Sequence, residues 1–134
     1  LAYGFDREAY IASYYKLDDK DAKLAYVPGM FGNPVSGANG AYIRGEEKVD
    51  GATYYYYDVE KAKQILDDAG WTVGSDGIRE KDGQKLSIKF LATKEKDAID
   101  TMIPMLQKQW GELGVDFKAN TMEFNTVIAT VSDD

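Results

Sequence analysis

Neither cysteine nor histidine occurs in this chain of 134 residues. The lack of cysteine excludes disulfides, thiolate metal sites and cysteine nucleophiles. The lack of histidine excludes a Ser-His-Asp triad and the usual imidazole zinc sites within this chain, and with them most common hydrolase mechanisms. An enzyme is therefore the function class with the least support, and we expect no cofactor and no bound metal.

Long apolar runs and basic patches are missing as well. No run approaches the roughly 18 apolar residues that a membrane-spanning helix needs. The 23 acidic residues outnumber the 16 basic ones, which are scattered along the chain, and the formal net charge is −7. This balance disfavours nucleic acid and anionic lipid as partners, because both attract clustered positive charge. The length is sufficient for a hydrophobic core without metal or disulfide support.

The second half of the chain is predicted to form a strand, a long helix and a second strand. Residues 86–92 and 115–123 alternate between two faces, which is typical of strands. Between them, apolar residues recur at three- and four-residue steps over 97–113, which predicts a helix. A helical connection of this length predicts parallel neighbouring strands with a right-handed crossover. Because Pro104 lacks a backbone N–H, the helix either kinks there or starts its first regular turn nearer Thr101.

Turn and capping residues predict the remaining elements. Asp6 is a candidate cap for a short helix, and Asp58 is a candidate cap for a helix over 58–69. The Asp-Gly pair at 82–83 predicts the turn of a β-hairpin. Apolar residues in the segment 124–131 have the spacing of a short closing helix. The fold class that follows is α/β, with a mixed, partly parallel sheet flanked by the two longer helices.

Glycine, proline and asparagine are dense over residues 18–57, which predicts turns and extended loop. Such a long irregular stretch is often functional or packed on a neighbour. It ends in four tyrosines, Tyr54 to Tyr57, for which two interpretations stay open. They form a stacking platform for a nucleotide or sugar, or they belong to an extended segment that packs alternate rings on the domain.

The residues that follow the two long strands are the candidate binding site, because ligands of open parallel sheets bind beyond the carboxyl ends of the strands. After the second strand come Glu123 and Asn125. In the loop after the first strand, helix amides could receive an anionic group, and a lysine could meet a peptide carboxylate or an acidic side chain. The alternative is a solvated loop in which Asp97 caps the helix. The substrate-binding candidates in that loop are Thr93, Lys94, Glu95 and Lys96.

Other polar and aromatic residues have plainer interpretations. Adjacent carboxylates at 46–47 and 67–68 point apart on a regular element, so neither pair is suited to the acid-base chemistry of a glycosidase. The acidic residues in 76–82 lack the ligand spacing of a calcium loop. Trp71 and Trp110 could stack a ligand, but both fall at core positions.

Three segments, in this order, carry a resemblance to a known family. They are LAYGFDREAYI at 1–11, YDVEKAKQILDDAGW at 57–71 with the hairpin DGIREKDGQKL at 76–86, and LQKQWGELGVDFKANTMEFNTV at 106–127. Together they resemble the extracytoplasmic solute-binding proteins of peptide and nickel ABC importers, the oligopeptide- and dipeptide-binding group. Their order and separations match that family over nearly the whole chain.

The resemblance implies a type II periplasmic-binding-protein-like fold with two lobes that close on a short peptide and deliver it to the permease of an ABC importer. Residues 1–134 would be a partial domain, a fragment of the second, C-terminal lobe. The family places the acidic anchor of the peptide's amino terminus in a strand after the position where this chain stops, and Asp133 and Asp134 do not match it. We therefore expect weak or no binding by the isolated fragment, and an extracytoplasmic location, periplasmic or at the cell surface with or without a lipid anchor.

A second interpretation comes from a different class of function. A stand-alone acidic module could bind a protein partner through a sheet edge or through residues 18–57. The chain starts at Leu1 and ends directly after an apolar segment, as expected of a piece of something larger or of a mature product. A sheet cut before its remaining strands has unpaired edges, so we also expect the fragment to self-associate.

Overall fold

The computed structural model describes residues 1–15, 41, 47–48 and 50–133. The chain divides into two compact units, Leu1–Ala62 and Lys63–Asp134. Most of the predicted irregular stretch 18–57 lies outside the described residues, so its prediction stays a prediction. No helix in the described part of the chain is long and apolar enough to cross a membrane.

In the described residues, the first unit contains a 3-10 turn, Ala2–Gly4, and helix α1, Arg7–Tyr15, and it includes the start of α2, Val59–Asp68. Both predicted caps are confirmed. The backbone N–H of Ala9 donates to Asp6 Oδ1 over 3.0 Å, and that of Lys61 donates to Asp58 Oδ1 over the same distance. Each carboxylate therefore satisfies an amide that the first turn of a helix leaves without an intrahelical partner.

The four tyrosines before α2 divide into two pairs. Tyr54 is buried, and the ring of Tyr55 packs on the ring of Tyr3 with centroids 5.0 Å apart. Tyr56 and Tyr57 are exposed. The packing interpretation therefore describes the first two rings, although burial does not alternate along the segment as that interpretation predicts.

The second unit begins with a three-stranded antiparallel sheet after α2. Its strands are β1, Thr72–Val73; β2, Arg79–Lys81; and β3, Gln84–Lys85, in the order β1-β2-β3. The predicted hairpin is confirmed, since Lys81 is opposite Gln84 across the turn at 82–83. Asp82 and Gly83 both have positive φ, 52° and 78°, which is the combination that a two-residue type I′ turn requires.

The rest of the second unit contains the predicted strand-helix-strand segment. Strands β4, Ser87–Thr93, and β5, Asp116–Met122, are parallel neighbours joined through helix α3, Asp97–Glu112. The closing helix is α4, Phe124–Ser132. The α/β class is confirmed, with the antiparallel and parallel strands of the described residues in two separate sheets.

The core of this unit lies where α3 packs on β5. Trp110 of α3 is edge-on to Phe117 of β5, with ring centroids 5.5 Å apart. Because α3 already begins at Asp97 and contains Pro104, the alternative of a start nearer Thr101 is wrong. The buried apolar residues of this unit are Ala92, Leu106, Leu113, Val115 and Phe117.

A buried arginine joins the antiparallel sheet to the end of α3. Arg79 in β2 is only 3% exposed. Its Nε–H donates to the carbonyl oxygen of Leu113 over 2.5 Å, and Nη1 donates to the carbonyl oxygen of Trp71 over 2.6 Å and to Asp67 Oδ1 over 2.5 Å. These bonds explain how a guanidinium, which is costly to remove from water, is accommodated in the interior.

Gly114, which follows α3, lies directly against this arginine. Its φ is +88°, in the left-handed region that favours glycine. A Cβ at this position would lie 2.8 Å from Cγ of Arg79 and 3.2 Å from the carbonyl oxygen of Gly77. The turn that leads into β5 therefore needs glycine for both its conformation and its close approach to β2.

Replacing the buried guanidinium with an apolar side chain of similar length, Arg79→Met, is expected to lower the free energy of unfolding by about 2–4 kcal/mol, because two carbonyl oxygens and a carboxylate lose their donor. The control is Asp67→Asn, which changes only the exposed partner and is expected to cost less than about 1 kcal/mol. Urea unfolding followed by circular dichroism measures both. Equal losses in the two variants would show that the ion pair, and not the bonds to the carbonyls, carries the stabilisation.

The substitution Gly114→Ala is expected to destabilise by about 2–5 kcal/mol, since it combines left-handed strain with a clash. Gly83→Ala is the matched control, because Gly83 also has positive φ but no atom lies within 4 Å of the added Cβ. The control should cost only about 1–2 kcal/mol. The same unfolding experiment compares them, and equal costs would contradict the role assigned to the contact with Arg79.

Candidate functional site

The carboxyl ends of β4 and β5 meet at one edge of the parallel sheet. Thr93, the last residue of β4, is in register with Met122, the last residue of β5. The hydrogen bonding extends one step further, because the N–H of Lys94 donates to the carbonyl oxygen of Met122 over 2.9 Å. The two segments that the sequence predicts as a binding site are therefore adjacent in space.

An ion pair bridges these two segments. Nζ of Lys94 lies 2.6 Å from Oε1 of Glu123, and both side chains are exposed. The hydrogen bond from Lys94 to Glu123, together with the carboxylate's charge, raises the pKa of Lys94 above its ordinary value of 10.5. Exposed pairs of this kind contribute little to stability, because water competes for both charges.

The loop that joins β4 to α3 differs from the prediction at the start of the helix. The solvated-loop interpretation placed the N-cap at Asp97, but Asp97 is the first helical residue and Lys96 occupies the cap position. Lys96 has the extended backbone of a cap, with φ −115° and ψ 106°, and makes no side-chain capping bond. This follows from its chemistry, because an ammonium group has no acceptor to offer a backbone amide. The first-turn carboxylates of Asp97 and Asp100 lie near the positive end of the helix dipole instead.

The four candidate residues of this loop have different roles in the structure. Thr93 is partly buried and paired in the sheet, whereas Lys94 forms an ion pair with Glu123, the residue after β5. Glu95 is exposed and has φ 61°, an uncommon left-handed conformation for a residue other than glycine. Lys96 is exposed at the N-cap. Lys94 and Glu123 were both candidates from the sequence, but their pairing was not predicted. The predicted strands, 86–92 and 115–123, differ in length, and only the observed bounds make each residue the first one beyond its strand.

Several other candidates named from the sequence are engaged by structural partners, and Glu46 lies outside the described residues. Asp67 is bound to Arg79, and Asp76 is paired with Lys85. Trp110 packs against Phe117, as the core interpretation expects. Within the described residues no group of three or more histidine, cysteine, aspartate or glutamate side chains could hold a metal ion.

Removal of the Glu123 charge is expected to lower the pKa of Lys94 towards its ordinary value. In the native chain the pair's contribution is fully present below pH 10.5 and is lost as the pH rises through the raised pKa of Lys94. An alkaline NMR titration of the lysine side chains in Glu123→Gln measures the change. Glu112→Gln is the control, because Glu112 is the last residue of α3 and precedes the start of β5, at the end of the sheet opposite to Glu123. A pKa of Lys94 that is the same in the native chain and in Glu123→Gln would contradict the assigned pairing.

Comparison with known proteins places this fold in a family. The family described as "Bacterial extracellular solute-binding proteins, family 5 Middle" matches the chain over residues 1–134. The chain is 26% identical over 129 residues to the oligopeptide-binding protein AppA of Bacillus subtilis, which is 96% of this chain and 21% of AppA. It is 38% identical over 82 residues to the nickel-binding periplasmic protein of Escherichia coli, which is 58% of this chain and 15% of that protein.

The solved structure of Bacillus subtilis AppA in complex with a nonapeptide is also similar. It matches 96% of this chain with a TM-score of 0.69 and 26% identity, and the match covers 23% of the AppA chain. The periplasmic-binding-protein-like fold class that the resemblance implied is thereby confirmed for the segment that this chain represents. The chain belongs to the family 5 bacterial extracellular solute-binding proteins.

Proposed function

We propose that this chain is part of a receptor that captures short peptides outside the cytoplasm and delivers them to the permease of an ABC importer. The observation that carries the proposal is the family match over the full 134 residues. The similarity to AppA, an oligopeptide-binding protein whose structure contains a nonapeptide, supports peptides as the ligand class. A receptor of this kind acts by closing and docking, and it breaks no bond.

The chain would supply one part of such a receptor. Residues 1–134 would form a portion of the C-terminal lobe, and the peptide would lie between this lobe and a second one. The support is the share of the relatives that the chain covers, which is 21% of AppA and 15% of the nickel-binding protein. The alternative of a stand-alone acidic interaction module is not favoured, because the match to the receptor family extends over the whole chain.

The edge formed by Thr93, Lys94, Glu95 and Lys96 with Glu123 is the part of this chain that would face the peptide. Its position beyond the carboxyl ends of two parallel strands supports this role. Because the pair between Lys94 and Glu123 is exposed, a peptide carboxylate could replace Glu123 as the partner of Lys94 at little cost. Peptides with a carboxylate near this edge would then be preferred over their amidated forms.

Calorimetry with a mixture of short peptides tests the proposal on two proteins, this chain alone and Bacillus subtilis AppA in which the matching segment is replaced by this chain. The chimera is expected to bind peptides, and the chain alone is expected to bind weakly or not at all. In the chimera, Lys94→Gln should weaken binding of peptides with a free carboxylate, and Glu123→Gln should strengthen it. Amidated peptides should respond to neither substitution.

Lys118→Gln is the matched control, because Lys118 is an exposed lysine of β5 that pairs with Asp116 at the start of the same strand. Tight peptide binding by the isolated chain would contradict the two-lobed arrangement. A nickel(II)-histidine complex is included as a second ligand, because one relative is a nickel-binding protein. Binding of that complex in place of peptides would contradict the proposed ligand class.

A further inference from the structure

The ion pair at the edge of the parallel sheet leaves hydrogen-bonding capacity on both of its members. Nζ of Lys94 lies 2.6 Å from Oε1 of Glu123, and neither side chain forms another ion pair within the described residues. An ammonium group can donate to more than one acceptor, and a carboxylate can accept from several donors. Lys94 is 45% exposed and Glu123 is 66% exposed. A second anion and a second cation can therefore reach the pair from solvent.

A ligand carboxylate that enters this edge alone makes an unbalanced exchange. It takes Lys94 as its partner, and Glu123 then loses the cation that it pairs with in the described chain. Glu95 adds to the imbalance, because its negative charge also acts on Lys94 and opposes an incoming anion. Lys96, at the N-cap of α3, forms no ion pair with either glutamate in the described part of the chain. The exchange becomes balanced when the ligand also brings a cation for Glu123.

The strand spacing determines how far apart the two charges of such a ligand are received. Lys94 and Glu123 each follow the last residue of a strand, and those last residues are in register. Neighbouring strands lie roughly 5 Å apart, so the two side chains start from points separated by about that distance. In a peptide whose terminal carboxylate reaches Lys94, the side chain of the last residue is attached to the same Cα as that carboxylate. A C-terminal lysine or arginine therefore supplies both charges from one residue.

We propose that Lys94 and Glu123 form a subsite for peptides that end in lysine or arginine, in which the terminal carboxylate binds Lys94 and the side-chain cation binds Glu123. This subsite rests on the proposed function and deepens it, because it specifies which peptides the edge selects. It also limits the gain expected of Glu123→Gln to peptides whose last side chain is uncharged. For those peptides Glu123 only competes for Lys94, whereas for a peptide that ends in lysine it is a partner.

Calorimetry on the AppA chimera tests the subsite with two short peptides that differ only in the last residue. One ends in lysine and the other in norleucine, which has a similar aliphatic side chain without the ammonium group. The lysine peptide is expected to bind about two- to five-fold more tightly, the range that one exposed ion pair allows. Glu123→Gln should abolish this preference by changing the two affinities in opposite directions, with weaker binding of the lysine peptide and tighter binding of the norleucine peptide.

Two controls separate a local contact from the general attraction of an acidic chain for cations. Glu112→Gln removes the same charge at the other end of the sheet and should leave the preference for lysine unchanged. A third peptide has the composition of the lysine peptide, but its lysine is at the first position and norleucine is at the end. It should respond to Glu123→Gln as the norleucine peptide does.

Failure of the subsite and failure of the proposed function give different results. A chimera that folds but binds no peptide contradicts both. Equal affinity for the lysine and norleucine peptides, or a preference for lysine that persists in Glu123→Gln, overturns the subsite alone. If the chimera does not fold, NMR of the 134-residue chain decides with millimolar Nα-acetyl-lysine and Nα-acetyl-norleucine. Larger shifts at Lys94 and Glu123 with the lysine derivative are expected, and equal shifts with the two overturn the subsite.

Discussion

The second unit depends on the burial of one cation. A guanidinium taken out of water needs acceptors for its N–H groups, and Nε and Nη1 of Arg79 donate to two backbone carbonyls and one exposed carboxylate. The carbonyls belong to Trp71 and Leu113, which follow the ends of α2 and α3. The unit can therefore bury this arginine only if both helix ends meet β2, and the close approach of Gly114 is a consequence of that requirement.

The backbone hydrogen bonds of Arg79 also set the register of the two parallel strands. Arg79 donates its N–H to the carbonyl of Gly114 and accepts from the N–H of Leu86, and Leu86 in turn accepts from the N–H of Asp116. Leu86 directly precedes β4 and Asp116 begins β5, so both strands start at the same level. Each has seven residues, and they consequently end together. The pairing of Lys94 with Glu123 is thus a result of strand register set about seven residues earlier.

Periodicity predicted the elements of this unit well because each of the long ones has an unambiguous pattern. The strand alternation of β4 and β5 and the apolar stripe of α3 are local signals, as is the Asp-Gly pair of the hairpin. The burial of Arg79 was not predictable in this way. In the segment IREK an arginine is expected to be exposed, and its partner Leu113 is 34 residues away in sequence. The cap at Lys96 was missed because the predicted cap, Asp97, has the better capping side chain.

The interactions that support the fold and those at the candidate site differ in how easily they can be replaced. Arg79 is buried and donates to two backbone carbonyls that would lose this donor if it moved, so this network resists exchange. Lys94 and Glu123 are exposed, and either charge can accept a partner from solvent. A receptor needs both properties, because a ligand can displace side chains only where the scaffold beneath them remains in place. The buried arginine in β2 lies beside the start of the two parallel strands and the exchangeable pair follows their last residues, so exchange of the pair is remote from the buried network.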